Sequence, residues 1–276
     1  MDGFTRYKRL ALLFPLLFVL VGLFLGGIVL AVNESFAAPR ELLHDPELRA
    51  ALGFTFWIAF ASTVISTLTG VALALGLRNS RSAMSLLQIP IAMPHLTMAI
   101  VLLHLASPSG LVSRTAFALG FIQSPAQFPD LVQDPYGLGI ILTYWIKETP
   151  FLAVTSLALL MRSGRQYEEV AQNLGAGFWD RLRFVTLPLL APAILPAALI
   201  VFAFVFAAFD VPFLLGRSYP TVLSVLAQRY FQSSEVAGRP SAMLVSIFMT
   251  FISAGLAAIY LQVSGLLRDP KSVVLQ

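Results

Sequence analysis

The chain has 276 residues, 58% hydrophobic and only 12% charged, with a formal net charge of +4 and no cysteine. Average soluble domains carry about 25% charged residues, so this composition calls for lipid as much of the solvent. The basic residues form no stripe, which argues against nucleic acid as a partner, and disulfide and thiol chemistry are excluded.

Six stretches reach the roughly 20 apolar residues that a bilayer core demands: 10–32, 51–77, 83–106, 137–161, 187–216 and 241–267. Lipid cannot satisfy open backbone groups, so each is predicted to be helical. The expected fold class is an all-α membrane protein with six transmembrane helices. It is read as a single transmembrane domain over 1–276, with its core over 51–267.

The first run, 10–32, follows Arg6, Lys8 and Arg9, as in a signal peptide, and Phe36-Ala37-Ala38 looks like a cleavage site. At 23 residues it exceeds the usual apolar region of about 7–15 residues, and is read as an uncleaved span. The acidic residues Glu34, Glu41, Asp45 and Glu47 then mark a polar segment. The third span carries Pro90, Pro94, His95 and His104. A proline removes a backbone hydrogen bond on one face, as a bent helix near a moving pathway would use. The two histidines share a direction but lack a third ligand, so no metal site is assigned. Segment 108–136 is rich in turn formers and suits a short interfacial helix.

The fourth span contains Lys147 and Glu148, and the fifth contains Asp210 after Pro188, Pro192 and Pro196. Ionisable groups at membrane depth are costly, and so are functional candidates. Lys147 lies 15 residues before Arg162, about 22 Å from the inner end at about 1.5 Å per residue. His95, Lys147, Glu148 and Asp210 are the candidate pathway residues, with helix packing or a gate as the competing role for Lys147 and Glu148. Segment 217–240 mixes Val222, Leu223, Val225, Leu226, Tyr230 and Phe231 with polar residues, and either docks an outside partner or only covers the helix ends.

Basic residues set the orientation. With a cytoplasmic N-terminus, the inner segments hold Arg6, Lys8, Arg9, Arg78, Arg81, Arg162, Arg165, Arg181, Arg183, Arg268 and Lys271. The outer ones hold Arg40, Arg49, Arg114, Arg217, Arg229 and Arg239. Eleven against six places both termini inside, although three of the outer arginines crowd into the last outer loop.

The inner segment between the fourth and fifth spans is the most informative. Residues 167–174 form a predicted short helix with Glu168 and Glu169 in its first turn, where the helix dipole favours acids. Gly175 and Gly177 permit a sharp break. A second short helix then presents Phe178 and Trp179, apolar bulk that calls for a covering partner.

This segment resembles the coupling loop of permease subunits of type I ABC importers. The family signature is Glu-Ala-Ala, three residues, Gly, nine residues, then Ile-x-Leu-Pro. The chain reads Glu169-Val170-Ala171, three residues, Gly175, nine residues, then Val185-Thr186-Leu187-Pro188. The spacing is intact, with Val at 170 and 185 in place of Ala and Ile. The family's proline shortly before the signature is missing, and Gly164 stands as the alternative break.

The resemblance implies a cytoplasmic coupling helix between spans 4 and 5, seated in a cleft of an ATP-binding subunit. Glu168, Glu169, Ala171, Gly175, Phe178, Trp179, Leu187 and Pro188 would form that loop, Gly175 making the turn and Glu169 facing the subunit or bracing the loop. It also implies an ATP-binding subunit dimer, a second permease subunit, an extracytoplasmic solute-binding protein and residence in the bacterial inner membrane. The stretch 209–216 resembles the branch serving polyamines, ferric iron, thiamine or sulfate, and the anionic Asp210 points first to a polyamine-type solute.

No Gly-x-x-x-x-Gly-Lys phosphate loop is present, so ATP hydrolysis is expected on another chain, and no cofactor is implied. An intramembrane enzyme lacks its signatures as well: there is no His-Glu-x-x-His pair. The remaining alternative is an ion-coupled secondary transporter using Asp210, Lys147 and Glu148, against which the absence of two related halves counts.

Overall fold

Every regular element among the described residues of the computed structural model, 3–78, 80–161 and 165–266, is helical. Gly164, the expected break before the loop, lies outside them, as do Arg162, Arg268 and Lys271 of the charge count. Helix α1 spans Gly3–Ser35. Helix α2, Pro46–Leu77, is opened by Asp45, whose Oδ1 accepts the Glu47 N–H at 2.8 Å, with Pro46 in the first turn where its missing N–H costs nothing.

Next come α3 (Arg81–Ala92), α4 (His95–Ala106), α5 (Leu111–Ala118) and α6 (Leu138–Leu159). On the far side of the central loop, α7 covers Arg165–Asn173 and α8 covers Phe178–Arg181. The rest of the bundle is α9 (Leu187–Ala207), α10 (Asp210–Leu215), α11 (Leu223–Gln232) and α12 (Gly238–Leu266). Among the described residues five runs are long and apolar enough to cross a membrane: Phe18–Ser35, Pro46–Leu77, His95–Ala118, Phe178–Ala207 and Gly238–Gln262.

Helix α6 lies at the centre. Thirteen of its residues are buried, from Gly139 to Leu157, and its chief neighbour is α2. The α2 face toward it is made of small residues: Ala59, Ser62, Ser66, Gly70 and Ala74 are buried and recur every three or four positions. In lipid there is no hydrophobic drive between helices, so close backbone approach must hold them together. Gly70 marks that approach, since a Cβ there would sit 2.8 Å from Leu152 Cβ.

Two of the expected spans are broken. The stretch 83–106 is two helices, with Met93 and Pro94 between them. Pro94 has no N–H to continue the ladder and disfavours helical geometry at Met93. The stretch 187–216 also divides. Helix α9 ends at Ala207, Ala208 is extended, and α10 starts afresh at Asp210. The Ala208 carbonyl finds its partner in the Ser224 hydroxyl, 2.7 Å away.

Four of the apolar residues of segment 217–240 are core, while Phe231 is exposed. Val222, Leu223, Val225 and Leu226 are buried with Ile58, Ile140 and Phe206. The Leu223 N–H donates to Thr55 Oγ1 at 2.9 Å. Two arginines of this segment have acidic partners: Arg229 pairs with Glu47 at 3.2 Å and Arg239 with Glu34 at 2.8 Å. These pairs join the start of α2 to α11 and the end of α1 to α12. Burial, assisted by the Asp45 and Glu47 charges, pushes Tyr230 up to about 12.

Candidate functional site

The segment from α7 to α9 is a bent lever. Helix α7 closes with the Gly175 N–H on the Gln172 carbonyl at 2.9 Å and the Ala176 N–H on the Ala171 carbonyl at 3.0 Å. Gly175 adopts φ +88°, a left-handed geometry that other residues resist. Asp180 Oδ2 accepts the Gly177 N–H at 3.3 Å and starts α8. The chain then runs through a π turn at Leu182–Thr186 into α9, whose first turn holds Leu187 and Pro188.

The lever shows its bulk to the outside. Phe178 is 62% exposed and Trp179 is 76% exposed, with their rings edge to face at 5.3 Å. Tyr167, Val170 and Leu174 are exposed as well, while Ala171 is half-buried.

The two neighbouring acids face different ways. Glu169 is exposed. Glu168 turns inward: its Oε2 pairs with Arg78 Nη1 at 2.6 Å, and its Oε1 accepts the Thr186 hydroxyl at 2.9 Å. Arg181 adds a second tie, donating to Gln172 Oε1 at 2.8 Å. Sequence reasoning counted Arg78 only toward topology and did not find this bracing; no local spacing connects residues 78, 168 and 186.

The membrane polar residues also separate by role. The Lys147 ammonium donates to the carbonyls of Pro90 at 2.6 Å, Ile91 at 3.3 Å and Met93 at 2.5 Å. The break at Pro94 leaves the Ile91 and Met93 carbonyls without helical partners and Pro90 with only the Met93 N–H, and a cation suits the carboxyl end of a helix. Lys147 is 5% exposed and is therefore the cap of α3.

Glu148, one position on, points about 100° away, and its Oε1 meets His95 Nε2 at 2.8 Å. Thus α6 holds both halves of the broken third span. The His95 ring packs on Phe204 at 4.6 Å and faces Tyr144 at 6.1 Å. Helix α10, which begins at Asp210, packs against α4 and α6. Asp210 is exposed at the start of α10, and no ion pair joins it to Arg217 among the described residues. His104 stays apart, its Nδ1 2.8 Å from the Ile100 carbonyl. Among the described residues no group of three metal-ligating side chains forms.

An amphipathic lever at the spacing of the Glu-x-Ala…Gly…Leu-Pro signature, joined to a lipid-embedded helical bundle, narrows the choice. The model of the binding-protein-dependent transport system inner membrane component matches residues 62–268. The chain belongs to this family. It is a permease subunit of an ABC importer and not itself an enzyme, since the family leaves ATP hydrolysis to a separate subunit.

Relatives agree with this. The chain is 28% identical over 90% of its length to the inner membrane ABC transporter permease protein YnjC of Escherichia coli, and spans 48% of that protein. It is 29% identical to the sulfate transport system permease protein CysT of Salmonella typhimurium, covering 71% of this chain and 68% of that one. It is 26% identical to the molybdenum transport system permease protein ModB of Mycobacterium bovis, covering 82% and 84%.

In fold, it is similar to a chain of a bacterial ABC transporter that imports the acidic polysaccharide alginate. The TM-score is 0.74 at 20% identity, over 98% of this permease and 100% of that chain. The ion-coupled carrier alternative has no support among these relatives, and Lys147, one of its three proposed groups, is committed to helix carbonyls.

Proposed function

We propose that this permease forms half of a solute pathway and is driven through segment 165–188, which docks in a cleft of an ATP-binding subunit on the cytoplasmic side. The observation that carries the reading is the exposed Phe178–Trp179 edge, set at the family spacing on a lever braced from within. A contiguous exposed apolar patch of this kind marks an interaction surface.

The complex would contain an ATP-binding subunit dimer, a second permease subunit, either a copy or a different chain, and an extracytoplasmic solute-binding protein. The alginate transporter has been described in complex with a periplasmic protein carrying alginate pentasaccharide, which supports that last partner. Both termini would be cytoplasmic, and 1–276 would be a single permease domain.

The count of six spans includes α6 and the α3–α4 pair. Helix α6 has 22 residues, about 33 Å at about 1.5 Å per residue, enough for the hydrocarbon core. It carries two charges because the other helices shield it from lipid. His95, Glu148 and Asp210 are the proposed solute-facing set, with Lys147 reassigned to the scaffold. The solutes in the relatives' names, sulfate and molybdenum, differ from the polyamine-type cation suggested by Asp210, so that carboxylate alone does not assign the solute.

The test is recovery of an ATP-binding subunit with the tagged chain from detergent-solubilised membranes, beside a Glu169→Arg, Gly175→Trp double variant. A Cβ at Gly175 meets nothing within 4 Å but is strained at φ +88°, so the variant alters both the surface and the turn of the lever. Recovery with the parent chain and loss with a still-folded variant supports the docking role. Failure to recover any ATP-binding subunit with the parent chain sinks it.

A further inference from the structure

Resting on that docking role, we propose that Glu168 is the positioning residue that makes the loop stiff. It ties the loop to two membrane helices at once, so that displacement of the Phe178–Trp179 edge reaches α2 and α9 together.

The need for such a tie follows from the local backbone. Between α7 and α8 stand Gly175 at φ +88° and Gly177. Helix α8 continues through the π turn into α9, so a push on it reaches α9 directly; it reaches α7 and α2 only if a second tie spans the glycine joint. Glu168 supplies that tie with both oxygens. One holds Arg78, the C-cap residue of α2, at 2.6 Å; the other holds Thr186, the N-cap residue of α9, at 2.9 Å.

Its side chain is 13% exposed against 43% for Arg78, and Thr186 is buried. A carboxylate so placed is an internal strut; Glu169 beside it is the exposed acid. A cavity of about 60 Å³ adjoins the strut, with Leu75, Phe178 and Leu182 in its wall. Phe178 thus extends from the outer face of the lever to the strut itself. The π turn at Leu182–Thr186 ends on the tethered Thr186. Turns of this kind inside helices recur at functional sites.

A pair with one partner as exposed as Arg78 contributes little to folding. Loss of the strut should therefore show in transmission and not in stability, which separates a positioning role from a structural one.

The chain lacks cysteine, so a single reporter can be placed by Gln228→Cys, in a groove of about 610 Å³ shared by α9, α11 and α12. The complex recovered with its ATP-binding subunit is treated with a membrane-impermeant maleimide, without nucleotide and after trapping with ATP and vanadate. We expect nucleotide to change the labelling rate about five-fold or more with Glu168 present, and less than about two-fold with Glu168→Gln, the first being the low end of ordinary coupling between sites. The Glu168→Gln complex should still contain the ATP-binding subunit and melt as the parent does. The swap Arg78→Glu with Glu168→Arg should restore the response.

An unchanged nucleotide response in Glu168→Gln overturns the strut. So does loss of the ATP-binding subunit from that variant, which would make Glu168 a contact of the partner, or a swap that restores nothing. Absence of an ATP-binding subunit from the parent chain overturns the docking role first, and the strut with it.

Discussion

Replacing Lys147 with methionine tests the account of the broken third span most directly. The methionine keeps the apolar stem and removes the ammonium. Three carbonyls then lose a donor: Pro90, Ile91 and Met93. Pro90 retains one partner, the Met93 N–H at 3.3 Å, so two carbonyls are left with nothing in its place. Each unsatisfied buried carbonyl costs about 1–3 kcal/mol, which gives a gross loss of about 2–6 kcal/mol. Part of this is recovered, because burying an ammonium is itself unfavourable. The net expectation is a destabilisation of about 2–4 kcal/mol, the lower part of that gross loss.

Equilibrium unfolding in mixed micelles against a denaturing detergent measures this loss. A sharper reading comes from the background Pro94→Ala, which restores an N–H able to reach the Pro90 carbonyl. There the cost of Lys147→Met should shrink, with a coupling energy of about 1 kcal/mol or more, as for residues that share partners. A Lys147→Met chain within about 0.5 kcal/mol of the parent, the level of an ordinary surface change, would refute the cap. So would strict additivity with Pro94→Ala.

Other outcomes follow from the same contacts. Gly70→Val should lower stability by about 1–3 kcal/mol, the usual cost of overpacking, because Leu152 Cβ already lies 2.8 Å from the added atom; thermal unfolding in detergent reads it, and an unchanged midpoint contradicts close α2–α6 packing. Trp179→Ala should reduce recovery of the ATP-binding subunit about ten-fold or more, as an interface anchor does when truncated, while the melting point holds because the ring is 76% exposed. Tyr230 should bring alkaline sensitivity. Its folded value of about 12 stands above the ordinary 10.0, so the stability it contributes is complete below pH 10 and fades as pH climbs toward 12. Comparing the pH dependence of melting with that of Tyr230→Phe checks this, and identical slopes would remove the claim.

The parts of this architecture that were legible in the sequence are the local ones. Apolar length alone located α1, α2 and α12, since a bilayer imposes its thickness on the chain. The lever was legible from spacing, because a glycine turn and two short helices are set within about 20 residues. What escaped depends on distant partners. Pro94 announces a weak point in a helix, but whether the helix bends or divides depends on a donor for the freed carbonyls, and that donor is Lys147, more than fifty residues away. The end of α9 at Ala207 has no glycine or proline to mark it; the break rests on Ser224 reaching the Ala208 carbonyl. Glu168 and Glu169 are the same residue type side by side, and only the positions of Arg78 and Thr186 decide which one turns inward.

Taken together, these contacts form an unbroken physical connection between the two ends of the bundle. Trp179 packs on Phe178, which borders the cavity beside Glu168. Glu168 holds Arg78 at the end of α2. From there α2 runs along α6 on a face of small residues that leaves little slack, and α6 grips both halves of the broken span through Lys147 and Glu148. The adjacency of those last two residues is what matters. One fixes the end of α3 and the other the start of α4, so any shift of α6 must move both sides of the break at Pro94. His95, on the α4 side, carries that movement to Phe204 and into the neighbourhood of Asp210. The break in the third span is thus a place where a stiff lever on one side can become a change of shape around the polar cluster on the other, because two helix ends meet there without a continuous backbone ladder between them.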